Sequence, residues 1–304
     1  MKMYSGFDAL PTGQASDKIT KGCLVLEGGA FRGVYTSGVL DVFMENDINL
    51  EAVIGTSAGA LNGINYVSGQ IGRSARVNLG FRHDSRYVSG FKGLLGKKGM
   101  LNIDFVFEDY EEYEPLDRER FINSPQRYIA VATGMDDGQA RYFEKGKCTE
   151  LINGAKASSS MPLVSKPVSV EGALCLDGCM SDPIPLQFAL DEGYEKIVVV
   201  RTVPADYRKA GNEDEAYAKA FKDYPEFAAA IRGRNELYNK QCDLLERLEK
   251  EGRLIQIYPT VRDDVDKLEA DMEKLGKLYY QGYKDAMEAL PRLEDYLGLE
   301  KKNL

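Results

Sequence analysis

The apolar run Leu50-Glu51-Ala52-Val53-Ile54 ends abruptly in Gly55-Thr56-Ser57-Ala58-Gly59, and Ala58 to Tyr66 then reads as a helix start. A strand that reverses into a helix within five residues forces its central residue into a strained backbone, and small flanking residues let strand and helix approach closely. Ser57 then stands at the carboxyl edge of a sheet, facing the unpaired amides of the helix's first turn. Two readings fit the pentapeptide alone: a hydrolase nucleophile supported by Gly55 and Gly59, or a plain glycine turn.

A second strand-to-helix junction lies upstream. Cys23-Leu24-Val25-Leu26 runs into Glu27-Gly28-Gly29-Ala30-Phe31-Arg32-Gly33, and Val34, Val39, Leu40, Val42 and Phe43 follow at helical spacing. Such a turn offers backbone N–H groups to an anion, either a phosphate or the oxyanion of a tetrahedral intermediate. A dinucleotide site would need an acidic residue at the end of the second strand, and that strand ends instead at Gly55-Thr56-Ser57. No Lys-Ser or Lys-Thr pair follows the glycines, so a Walker-type phosphate loop is unsupported too.

A third apolar stretch, Gly172-Ala173-Leu174-Cys175-Leu176, ends in Asp177-Gly178-Cys179, and Pro183 and Pro185 open a helix through Leu186–Leu190. A carboxylate at a strand end suits a base; it equally suits a turn or the cap of the next helix. The chain has one histidine, His83, between Ser57 and Asp177. In the α/β-hydrolase order the histidine follows the acid, so that fold's triad is excluded here. If Ser57 does chemistry, a carboxylate acts on it directly, and His83 is an ordinary polar side chain.

Taken in order, the glycine turn Glu27–Gly33, the Gly55–Gly59 turn and the Asp177-Gly178 pair resemble the patatin-like phospholipases, over roughly the first two hundred residues. The resemblance implies a three-layer α/β/α sandwich with a mostly parallel central sheet, plus a helical C-terminal lobe. It also implies a serine-aspartate dyad that cleaves acyl esters: Ser57 as nucleophile, Asp177 as general base with Gly178 supporting its loop. The oxyanion hole would come from the amides of Gly28, Gly29, Ala30, Arg32 and Gly33. Expected substrates are phospholipids, lysophospholipids or other fatty-acyl esters, with no metal and no cofactor required. This chain departs from the family pattern at Ala30, where a third glycine is common, and at Cys179, where glycine or alanine is common. Direct proton transfer from serine to aspartate becomes feasible when transfer is concerted with attack and burial raises the carboxyl pKa above about 3.9. An acyl transferase or a catalytically silent interaction module on the same fold are the alternatives.

The 304 residues, 43% of them hydrophobic, suffice for one large α/β unit with an appended lobe. The expected organisation is an N-terminal extension over 1–20, a catalytic core over 21–204, and a mainly helical region with one further strand over 205–304. The first residues hold no signal-like apolar run, no stretch approaches a membrane span, and five scattered cysteines suggest reduced thiols, so a cytoplasmic protein is expected. A net charge of −9 argues against nucleic acid and against a broad attraction to anionic membranes. Transient peripheral contact with lipid would therefore be local, and Phe91–Leu101, mixing lysines with large apolar residues, is the candidate flap.

Further along, Tyr128–Thr133 and Lys196–Val200 read as strands, the latter covered on both faces, and Leu254–Tyr258 as another. Tyr224–Glu251 reads as a helix with a stripe of Phe227, Ile231, Leu237, Leu244, Leu245 and Leu248. Asp263, Asp264 and Asp266 are expected to begin the last helices, in which Tyr279, Tyr280, Tyr283 and Leu290 serve packing, and the acidic Glu108–Glu112 cluster reads as a solvated face.

Overall fold

The computed structural model describes residues 2–89, 100–211, 214–262 and 265–299. Its central sheet is built from β2 (Thr20–Leu26), β3 (Leu50–Thr56), β5 (Arg127–Gly134), β6 (Ala140–Glu144), β7 (Val168–Val170), β8 (Ala173–Asp177), β9 (Ile197–Val200) and β10 (Leu254–Ile257). A separate two-stranded ribbon pairs β1 (Gly13–Gln14) with β4 (Gln70–Ile71). The sheet order is β10-β9-β2-β3-β5-β8-β7, with β6 also paired to β5. From β10 to β5 all pairings are parallel, and β6, β7 and β8 join antiparallel.

The parallel strands are apolar throughout because both their faces are covered. On one face Leu24, Leu26, Val53, Val198 and Val200 pack under α1 (Gly33–Glu45), α2 (Ala58–Val67), α3 (Arg73–Phe81) and, at the far end of the chain, α8 (Met272–Leu297). On the other face Cys23, Val25, Ile54, Val131 and Val199 pack under α5 (Leu186–Asp191) and α7 (Pro225–Lys250). Alternation of side chains along each strand thus produces the expected α/β/α sandwich. The remaining labelled helices are α4 (Leu151–Ser158), which packs on β5, and α6 (Asp214–Lys219), which packs on α7.

The parallel register brings the carboxyl ends of β2, β3 and β9 to one edge, with Leu26 beside both Gly55 and Val200. There the three turns leave the sheet together. β5 supplies the second constraint. Its residues Ile129–Val131 pair with both β3 and β6, while Ala132 and Thr133 pair with both β6 and β8. A strand has two edges, so β6 takes one, and β3 and β8 share the other, meeting end to end. Thr56 pairs with Val131 and Asp177 with the next residue, Ala132.

The last helix differs from the sequence expectation. Asp263 and Asp264 lie outside the described residues, Asp266 is in a loop, and one continuous helix starts at Met272. Asp271 caps it because its carboxylate reaches the amides of Glu273 and Lys274, at 2.9 and 3.3 Å. In α7 the stripe is realised by Phe227, Ile231, Leu245 and Leu248, but Tyr238 and Cys242 fill the core where Leu237 and Leu244 stay half-buried. Nor is the acidic cluster simply solvated: Tyr110 is buried, and Glu111 pairs with Arg118. Of the expected flap, Phe91 and residues 92–99 lie outside the described residues, while Leu101 is buried and bridges to Val88. Among the described residues no helix is long and apolar enough to cross a membrane.

Helix α8 is clamped on α1 by a reciprocal arrangement. Tyr35 donates its hydroxyl to Asp285 at 3.0 Å and Tyr279 donates to Asp41 at 2.7 Å, all four groups being buried. The helix backbones come close because Gly38 and Gly282 face them; a Cβ there would stand 2.2 Å from Tyr279 O and 2.1 Å from Tyr35 O. Gly282→Ala is expected to cost about 1–3 kcal/mol through overpacking, read as a lower urea midpoint at unchanged slope.

Candidate active site

Ser57 lies at the end of β3 with φ +56° and ψ −122°, a conformation that costs a non-glycine residue about 1–3 kcal/mol. Packing holds it there. Gly55 and Gly59 permit the contact, since a Cβ on Gly55 would fall 2.4 Å from the Gly59 carbonyl carbon and one on Gly59 2.4 Å from Leu26 O. The Ser57 amide donates to Ser158 Oγ at 2.8 Å, and Ser159 Oγ donates to Ser57 O at 3.1 Å.

Because β8 meets β3 end to end, Asp177 arrives directly opposite. The Ser57 hydroxyl donates to Asp177 Oδ2 at 2.7 Å, and both residues are buried. Oδ1 accepts from the Cys179 amide at 2.8 Å, so Asp177 also caps the short turn Gly178–Met180. The turn-capping role and proximity to the serine coexist, because a carboxylate has two oxygens. The Asp177 amide donates to Ser160 O at 2.9 Å. Gly178 allows the abutment; its Cβ would lie 2.2 Å from Val131 O. Burial holds the Asp177 carboxyl above the ordinary carboxylate range, against the opposing pull of the Cys179 amide and the Ser57 hydroxyl.

The glycine turn behind β2 separates into used and unused amides. Gly28 N–H donates to Pro183 O at 3.2 Å, Arg32 N–H to Gly29 O at 3.1 Å, and Gly33 N–H to Ala30 O and Phe31 O. Among the described residues, the amides of Gly29 and Ala30 have no acceptor. Ala30 adopts φ +50°, the left-handed region in which a third glycine would be at ease. Gly29, Ala30, Ser57 and Asp177 line one cavity of about 390 Å³. Ala30 and Ser57 also border a narrower one of about 40 Å³, walled by Phe31, Leu61, Tyr87, Leu101 and Ile103. His83 lines neither of these; it is exposed and its Nε2 lies 2.8 Å from Ala270 O.

Two supports escaped the sequence reading. Ser158–Ser160, at the end of α4, hold both Ser57 and Asp177; a run of three serines before Pro162 was the available signal. The other is a buried ionic network behind the glycine turn. Glu27 accepts from the Thr202 amide and from Tyr238 Oη, each at 2.6 Å, and Arg201 Nε lies 3.8 Å from its carboxylate. Arg201 in turn donates to Tyr238 Oη and to Ala205 O, both at 3.0 Å. No local pattern announces a contact between residues 27, 201 and 238.

A family model described as patatin-like phospholipase matches residues 24–190, more than half of the chain. The chain belongs to the patatin-like phospholipase family. A second model, a domain of unknown function termed DUF6363, matches residues 224–298, the stretch of α7, β10 and α8. Among curated relatives of this patatin-like protein, the uncharacterized protein YjjU of Escherichia coli is 33% identical over 187 residues, covering 60% of this chain and 52% of that one. An uncharacterized NTE family protein of Mycobacterium tuberculosis is 27% identical over 166 residues, 54% of this chain and 44% of its own. Lysophospholipase NTE1 of Scheffersomyces stipitis is 24% identical over 285 residues, covering 85% of this chain and 17% of that much longer protein. The chain thus spans about half the length of the first two.

Glu27 and Arg201 are almost wholly buried, so removal of one leaves the other's charge without compensation. Arg201→Met is expected to lower unfolding free energy by about 3–5 kcal/mol in urea denaturation, with much of the loss recovered when Glu27→Gln is added.

Proposed function

We propose that this chain is a carboxylic ester hydrolase acting on phospholipids, lysophospholipids or related fatty-acyl esters, with Ser57 as nucleophile and Asp177 as general base. The observation that carries the reading is the 2.7 Å hydrogen bond from a strained, buried serine to a buried carboxylate beside two acceptor-free amides. Membership of the family and the likeness to a protein named lysophospholipase support the substrate class.

In this mechanism Ser57 Oγ attacks the acyl carbonyl while its proton passes to Asp177. The amides of Gly29 and Ala30 donate to the oxyanion of the tetrahedral intermediate, which is stronger than their interaction with the ground-state carbonyl. Collapse breaks the ester bond, and Asp177 returns the proton to the departing alcohol. Water then attacks the acyl-enzyme with Asp177 again as base, releasing the fatty acid and restoring Ser57. Burial of Asp177 favours this chemistry, because a carboxylate with a raised pKa is a stronger base. We further take residues 21–204 as the catalytic core, with 1–20 as an extension and 205–304 as a C-terminal region that completes the larger cavity. The chain would act in the cytoplasm and meet lipid surfaces transiently.

Hydrolysis of a p-nitrophenyl fatty-acyl ester tests the roles. Ser57→Ala is expected to lose about 1000-fold or more in kcat/KM, and Asp177→Asn about 100- to 10,000-fold, while His83→Ala keeps its rate. Loss of activity in His83→Ala would instead point to a histidine base, and formation of a transfer product without free fatty acid would point to an acyl transferase.

The pH profile offers a second measurement. Asp177 must be ionised to accept the proton, so activity falls as pH drops through its raised pKa. The acid limb of kcat/KM should therefore lie above about 3.9, the ordinary aspartate value.

A further inference from the structure

The two cavities that meet at Ser57 differ in chemistry. The narrow one is walled mainly by aromatic and aliphatic side chains, with Asn62, Ser74, Asn78 and Ser159 among them. The larger one is lined by the cations Arg32, Lys209, Arg234 and Lys267 and the carboxylates Glu27, Asp177 and Asp214. Each carboxylate is already engaged: Glu27 by Arg201, Tyr238 and the Thr202 amide, Asp177 by Ser57 and the Cys179 amide, and Asp214 by Arg234. Arg234 is thereby paired with a carboxylate, and Arg32, still cationic, is held through its Nε by Val265 O at 2.8 Å.

Lys209 and Lys267 remain. Among the described residues neither ammonium has a hydrogen-bond acceptor or a carboxylate within ion-pair distance; Lys267 is exposed and its charge reaches Asp177, while Lys209 Nζ sits 4.3 Å from the centroid of the Tyr238 ring. Two cations without an ion-pair partner therefore line one cavity of a chain whose net charge is −9. Burial first, and then the positive charge of Lys267, hold the Lys209 ammonium below its ordinary pKa. An anion in the cavity would relieve the repulsion, at a place where partial desolvation makes the attraction stronger than in water.

We propose that Lys209 and Lys267 form a phosphate-binding subsite that selects acyl esters carrying a phosphate on the alcohol side, the acyl chain entering the narrow apolar cavity. The inference rests on the hydrolase reading and extends it to substrate choice. Both lysines lie outside residues 24–190, so this selectivity belongs to the C-terminal part of this chain rather than to the matched family region.

The test compares 1-hexanoylglycerol 3-phosphate with 1-hexanoylglycerol, both below aggregation, in the wild type, Lys209→Met/Lys267→Gln and Lys209→Arg/Lys267→Arg. The wild type should prefer the phosphate ester, and the ratio of kcat/KM for the two esters should fall about tenfold or more in the neutral variant, with the arginine variant retaining it. Equal loss on both esters, as a purely structural role would give, or an unchanged ratio, overturns the proposal. Inorganic phosphate and glycerol 3-phosphate, titrated calorimetrically into the same proteins, give a readout independent of turnover. Saturable binding of glycerol 3-phosphate that the neutral variant loses supports the subsite, and binding of inorganic phosphate alone assigns it to free phosphate rather than a headgroup, overturning the substrate assignment. A wild type that binds glycerol 3-phosphate yet cleaves neither ester leaves the subsite standing and removes the hydrolase reading. A wild type that cleaves both esters without preference and binds neither phosphate compound does the reverse.

Discussion

The meeting of β3 and β8 on one edge of β5 is the constraint on which the site depends. Both strands compete for the same line of backbone donors and acceptors, so one must stop where the other begins. That boundary falls between Val131 and Ala132, which puts the turn at Ser57 against the end of β8. Hydrogen-bond geometry of the sheet, fixed to within a few tenths of an ångström, therefore sets the distance between hydroxyl and carboxylate. Side-chain flexibility has little share in it, because Ser57 and Asp177 have short side chains on backbones that are held by the three serines at the end of α4.

Charge is distributed around this junction in graded fashion. Glu27 and Arg201 form a buried pair that anchors the start of the glycine turn. Among the described residues Asp177 makes no ion pair; its burial raises the carboxyl pKa against the lowering pull of two hydrogen-bond donors and of the Lys267 charge. Lys209 and Lys267 line the same cavity and form no ion pair among the described residues. Glu27 of the buried pair, Asp177 and the two lysines thus all line one cavity. Ser57 and Ala30, both at positive φ, sit in turns that border the cavity, where backbone strain persists only because the surrounding packing over-determines it; Asp47, Leu163 and Glu171 share the positive φ.

Legibility of the sequence followed the range of the interactions. The strand-turn-helix units around Gly55–Gly59 and Glu27–Gly33, the strand ending at Asp177 and the long helix from Pro225 could all be read, because period and turn chemistry act within a few residues. The helix cap at Asp271 was missed in favour of three earlier aspartates; composition alone does not tell which carboxylate reaches the N2 and N3 amides. Tyr238 and Cys242, rather than Leu237 and Leu244, fill the core face of α7, where a hydroxyl and a sulfur accept from the buried Arg201, and residue 201 is far away in sequence. Which amides of the glycine turn are left over likewise depended on Pro183 O and on the tight turn closed by Gly29 O, neither of which the glycine spacing reveals.

By itself the sequence determined an α/β/α layering, the three strand-end turns and the residue types that fill them, since local periodicity and backbone permissiveness suffice for these. It also excluded a triad of the usual hydrolase order, because its one histidine falls between the serine and the acid. Tertiary structure alone decided that Ser57 and Asp177, 120 residues apart, share a hydrogen bond, and that the Gly29 and Ala30 amides find no acceptor among the described residues. It alone brought lysines from beyond β9 and from before α8 to the same cavity. These outcomes depend on strand register and on long-range hydrogen bonds, which couple residues that no local pattern connects.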